Sequence, residues 1–167
     1  MRLMKPFMLA LVLLLTACGF HLRGDAKMPF KTLYIEAANP DSPLIAELRT
    51  NLEANHVQLV DKAEQAEVIL NIALDLPEKQ ILTLGSGGLV SAFQLRYHVS
   101  LRAYDNQQRE WLPADELVLS RDYNYNDSQI LAKSAEEAQL YQSMRSDMAQ
   151  QIIRRLSHAK PVAPAQK

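Results

Sequence analysis

The longest uninterrupted two-residue period in the chain spans Ser91 to Tyr104, and it restricts the fold more than any other segment. Phe93, Leu95, Tyr97, Val99, Leu101 and Ala103 alternate with Gln94, Arg96, His98, Ser100, Arg102 and Tyr104. A strand patterned this way buries one face and leaves the other in water, which is the signature of an antiparallel sheet covered on one side only. Two further strands are predicted around it. Val68 to Leu76 places Leu70, Ile72, Leu74 and Leu76 on one face and ends at Pro77, while Leu117 to Tyr123 follows the turn-like Asp105 to Gln108. The three form an antiparallel meander.

Elsewhere the period is helical. Thr32 to Glu36 reads as a short strand, and Ser42-Pro43 then opens a helix whose stripe is Leu44, Ile45, Leu48 and Leu52. Ser42 suits the cap, Pro43 sits where a missing N–H costs nothing, and Asn55 suits a left-handed stop. After a brief apolar stretch, Val57 to Val60, come the three strands. A long amphipathic helix from Ser128 to about Leu156 then carries Leu131, Ala138, Tyr141, Met144, Met148, Ile152 and Leu156 on its seam. The order β-α-β-β-β-α predicts an α+β two-layer sandwich, with a four- to five-stranded, mostly antiparallel sheet and both helices on one face. Arg96, His98 and Arg102 are left on the open face.

The N-terminus assigns a compartment. Arg2 and Lys5 precede the nine-residue apolar run Phe7 to Leu15, and Leu15-Thr16-Ala17-Cys18 follows directly. Nine residues are too few for a membrane span, which needs roughly 20. The pattern is that of a lipoprotein signal peptide, residues 1–17, removed at Ala17-Cys18 so that the thiol of Cys18 carries a diacylglyceryl group and its amine an acyl chain. Three acyl chains hold a protein at a membrane essentially permanently. Residues 18–29 then form a lipidated N-terminus and short tether, residues 30–157 one domain, and residues 158–167 a flexible tail. From Cys18 to the first strand the tether spans at most roughly 40 Å, so the domain stays near its membrane.

Charge and motif content exclude several functions. Cleavage removes Arg2 and Lys5, which leaves 16 of the 18 basic residues against 19 acidic ones, a net charge near −3. Nucleic acid as a partner is disfavoured without a positive field. His21, His56, His98 and His158 are scattered and Cys18 is the only cysteine, so no metal or cofactor site is expected. No Gly-x-Ser-x-Gly elbow is present, which argues against a hydrolase. Gly85-Ser86-Gly87-Gly88 lacks the Gly-Lys-Ser/Thr ending of a phosphate loop and precedes a strand. It reads as a hairpin loop, and the flanking Leu82, Leu84, Leu89 and Val90 make it a candidate partner-docking loop. Lys133, Arg96 and Arg102 are candidate phosphate contacts.

Several segments together resemble the LPS-assembly lipoprotein family LptE, also called RlpB. These are Cys18-Gly19-Phe20-His21-Leu22-Arg23-Gly24, Pro43-Leu44 with Leu48-Arg49, Arg121-x-Tyr123-x-Tyr125, Leu131-Ala132-Lys133 and the helix from Arg145 to Leu156. The resemblance spans the mature domain. It implies a non-enzymatic lipoprotein that sits within the lumen of the β-barrel LptD, aids assembly of that barrel and binds lipopolysaccharide. It also implies an outer-membrane anchor at Cys18, a domain on the periplasmic side, and Lys133 as a lipid A contact. Where relatives carry an arginine this chain has Gly85-Ser86, so Lys79 or Arg96 would take that part. A different outer-membrane accessory lipoprotein, such as a peptidoglycan synthase activator, would share the anchor and a small α/β domain.

Overall fold

The computed structural model describes residues 27–162. The signal peptide, Cys18 and most of the tether lie outside the described residues, as do residues 163–167. Five strands and two helices follow in the order β1 (Thr32–Ala37), α1 (Pro43–Ala54), β2 (Gln58–Leu59), β3 (Val68–Leu84), β4 (Val90–Tyr104), β5 (Glu110–Asn124) and α2 (Ile130–Ser157). The sheet is mixed and open, ordered β2-β1-β3-β4-β5. β1 runs parallel to both its neighbours, whereas β3, β4 and β5 form the antiparallel meander. The two-layer α+β architecture expected from the periodicities is thus present, and the stretch Val57 to Val60 supplies the extra edge strand β2.

Local chemistry explains the element ends. The Ser42 hydroxyl accepts a hydrogen bond from the Ile45 N–H at 3.2 Å, so the first turn of α1 is capped while Pro43 occupies its first position. The left-handed residue that ends α1 is His56, with φ 62°, one position beyond the expected Asn55. Asp105 builds the turn between β4 and β5. Its Oδ1 accepts from the N–H groups of Gln107 and Arg109 at 2.9 and 3.0 Å, and its Oδ2 accepts from Arg109 Nε and Trp111 Nε1 at 2.8 and 3.2 Å.

The core lies between the helices and one face of the sheet. Leu44, Ile45, Leu48 and Leu52 of α1 and Met144, Met148, Ile152 and Leu156 of α2 meet Leu33, Leu70, Ile72, Leu95, Val99 and Leu101. The stripe of α2 is buried only from Met144 onward. Leu131, expected in the seam, is 82% exposed, and Ala138 is exposed too, whereas Glu137 and Tyr141 of the same turns meet the hairpin.

Two expectations are corrected by β3. Pro77 does not end it; the strand continues to Leu84, with Pro77 opposite Tyr97. β1 pairs only as far as Ile72, so β3 is an edge strand at Pro77, where a residue without an N–H is tolerated. Leu74 and Leu76 do not share a face with Leu70 and Ile72. The register slips between Ile72 and Leu74, and this bulge turns both leucines to the open face opposite Ser100 and His98. At the other terminus the chain stays ordered past Leu156. Ala159 is buried, and the Val162 N–H donates to the Glu110 carbonyl at 2.7 Å.

Candidate functional site

Beyond the bulge, β3, β4 and the last residues of β5 carry a mixed aromatic and charged cluster at the margin of the core, in which Tyr123 is buried and Phe93 and Tyr125 are partly so. Lys79 lies opposite buried Leu95 and therefore on the helix side of the sheet. Its Nζ is 2.6 Å from Glu137 Oε2 and 4.1 Å above the centroid of Phe93. The Tyr123 hydroxyl donates to the same Glu137 oxygen at 2.7 Å, Tyr123 stacks on Phe93 at 5.8 Å, and Tyr125 meets Phe93 edge-on at 5.0 Å. Farther along α2, the Tyr141 hydroxyl donates to the Glu78 carbonyl at 2.8 Å. α2 is thereby tied to the hairpin by polar contacts at the margin of the apolar core.

Charge in this cluster is balanced internally. Burial opposes ionisation of Glu137, but the bonds from Lys79 and Tyr123 outweigh it and hold the carboxyl below its ordinary range. For Lys79 burial pulls downward and the Glu137 contact prevails, so its ammonium titrates above the usual lysine value. Tyr123 is pushed up, first by burial and then by the anionic partner. Lys133, one turn before Glu137 on α2, reaches Glu136 Oε2 at 2.8 Å.

The sequence candidates are therefore brought together only in part. Lys79 and Lys133 both meet the turn of α2 that bears Glu136 and Glu137. Arg96 stands apart: it lies opposite Glu78 and Ser120 on the open face, with a sheet between it and the other two. On that face His98 has Nδ1 2.8 Å from Glu116 and Nε2 3.6 Å from Glu78, between exposed Leu76 and Val118. Gly85 to Gly88 form the tight turn of the β3–β4 hairpin. Gly87 and Gly88 adopt φ of 84° and 77°, and the Gly85 N–H donates to the Leu89 carbonyl at 2.7 Å. Ile81, Leu82, Leu84 and Leu89 around that turn are 47–64% exposed. Sequence reading missed Glu136 and Glu137, because nothing in an i, i+1 pair of glutamates on a helix announces that each will meet a lysine.

A lipopolysaccharide-assembly family model, LptE, matches residues 30–156. The chain belongs to the LptE family. An LPS-assembly lipoprotein LptE from Yersinia pestis is 32% identical over 171 residues, covering 96% of this chain and 79% of the relative. Solved lipoprotein structures agree with the fold. An uncharacterized lipoprotein B from Nitrosomonas europaea has a TM-score of 0.72 at 37% identity over 83% of this chain and 90% of its own. The rare lipoprotein B from Shewanella oneidensis has a TM-score of 0.65 at 27% identity, covering 74% of this chain and 91% of its own. An LptE-family chain of this shape is an envelope lipoprotein, and no helix among the described residues is long and apolar enough to cross a membrane.

Proposed function

We propose that this protein is an outer-membrane lipoprotein, anchored through Cys18, that plugs and helps assemble an LptD-type β-barrel and binds lipopolysaccharide during its insertion at the cell surface. Membership in the LptE family supports a role in lipopolysaccharide assembly. The finer reading is carried by the free end of the β3–β4 hairpin, where Ile81, Leu82, Leu84 and Leu89 are exposed around a turn with no covering layer among the described residues. Apolar surface gathered at one tip suits a partner or a lipid better than water. Lys79 and Lys133 on the helix side supply cations for an anionic headgroup. The reading assigns the protein scaffolding and binding, with no bond made or broken.

Co-purification tests the plug. Tagged mature protein extracted in mild detergent is expected to bring down a large β-barrel protein, and its absence overturns the reading. Deleting Gly85 to Gly88 is expected to lower that recovery with the circular dichroism spectrum unchanged. Full recovery would remove the loop from the interface. Immobilised Lys133→Glu protein is expected to retain less lipopolysaccharide than the parent, and equal retention would remove Lys133 from the site.

A further inference from the structure

Two lysines from different elements converge on one turn of α2, and each already holds a carboxylate. Lys79 comes from β3 to Glu137, and Lys133 lies on α2 itself beside Glu136. Consecutive residues on a helix point about 100° apart, so the two glutamates can serve two separate cations. Ile130, Lys133 and Glu137 fall on one helical stripe, and Ile81 follows Lys79 on the same face of the sheet. Ile81, Ile130 and Leu131 are all exposed. The lysines therefore border apolar surface, and the Lys133 side chain is only 17% exposed itself.

An ammonium set against aromatic rings and apolar side chains needs a counter-anion nearby, because it has lost part of its water. Glu136 and Glu137 provide it from within the chain. We infer that these two carboxylates are internal stand-ins for the anionic groups of a phosphorylated lipid, occupying Lys133 and Lys79 until the ligand displaces them. The inference rests on the lipopolysaccharide-binding reading and adds what limits the affinity. A phosphate brings more negative charge and more acceptor oxygens than one carboxylate, so it can win each lysine. Glu136 is the easier to displace, since its side chain is half in water, whereas Glu137 also accepts the Tyr123 hydroxyl. While the lipid is bound, each displaced carboxylate competes for its lysine, which shortens the bound lifetime.

The test compares full-length mature protein with its Glu136→Gln, Glu137→Gln and doubly substituted forms. Each is titrated with bisphosphorylated lipid A in detergent micelles and with the same acylated disaccharide lacking phosphate. Glutamine keeps an acceptor for Tyr123 while removing the competing charge. Each single substitution is expected to tighten lipid A binding about threefold and the pair about tenfold, with slower dissociation. Binding of the phosphate-free lipid is expected to be unchanged. If the parent binds lipid A and the substituted forms bind it equally or more weakly, the stand-in role is overturned; Glu136→Gln decides this alone if Glu137→Gln lowers the melting temperature. If the parent does not bind lipid A, the binding reading fails with it.

Discussion

Ile72 and Leu74 stand two residues apart in β3 and face opposite sides of the sheet. An unbroken strand would put both on one face, and the bulge between them separates Ile72, 1% exposed in the core, from Leu74 on the open side. The residues from Leu74 to Ile81 inherit the shift. Asp75, Lys79 and Ile81 turn toward the helix layer, and Leu76 and Glu78 turn away. The bulge is thus what delivers Lys79 to Glu137.

That relationship predicts unequal costs for two similar residues. Ile72→Ala is expected to lower stability by about 2–4 kcal/mol through lost burial and a residual cavity. Leu74→Ser is expected to change it by less than about 1 kcal/mol. Urea unfolding of both variants measures the difference, and a comparable loss at Leu74 would contradict its placement.

Asp105 predicts an acid-sensitive turn. Burial works against the carboxylate, but the four bonds it accepts outweigh burial and lower its pKa below the ordinary value near 4. Its contribution is present above the unfolded-state pKa and is lost as pH falls through the depressed folded value. Asp105→Asn is expected to cost about 2 kcal/mol at neutral pH, since an amide hydrogen would face donors on Arg109 or Trp111. It is also expected to flatten the acid limb of a stability-versus-pH curve below about pH 4.

The hairpin turn separates two glycines by backbone geometry. Gly87, at φ 84°, is expected to lose about 1 kcal/mol on substitution by alanine, because a Cβ is disfavoured in the left-handed region. Gly85 is not in that region, and a Cβ there would meet Ser91 Cβ at an ordinary 3.5 Å. Gly85→Ala is therefore expected to melt with the parent, and thermal denaturation of the two variants checks both.

Tyr123 contributes through a ring and a hydroxyl. Tyr123→Phe keeps the stack on Phe93 and removes the bond to Glu137, at an expected cost of about 1 kcal/mol. Tyr123→Leu loses the stack as well and is expected to cost more. The tyrosine absorbance titration is expected to show one fewer group ionising above the ordinary range in Tyr123→Phe than in the parent, where Tyr97, Tyr104, Tyr125 and Tyr141 are raised too.

Periodicity alone determined the layers of this protein. The alternation from Phe93 to Ala103, the stripe from Leu44 to Leu52 and the seam from Met144 to Leu156 each record which side of an element meets the core, and that information is local. The family was likewise readable from contiguous segments such as Arg145 to Leu156. What only the tertiary structure decided was set by contacts between residues far apart in the chain. No local pattern marks the slip after Ile72, because a bulge is favoured only when the neighbouring strand and the covering helices are in place. For the same reason Pro77 could continue β3 once β1 had ended, Arg96 was separated from Lys79 by the thickness of a sheet, and Lys79 found Glu137 across 58 positions of sequence.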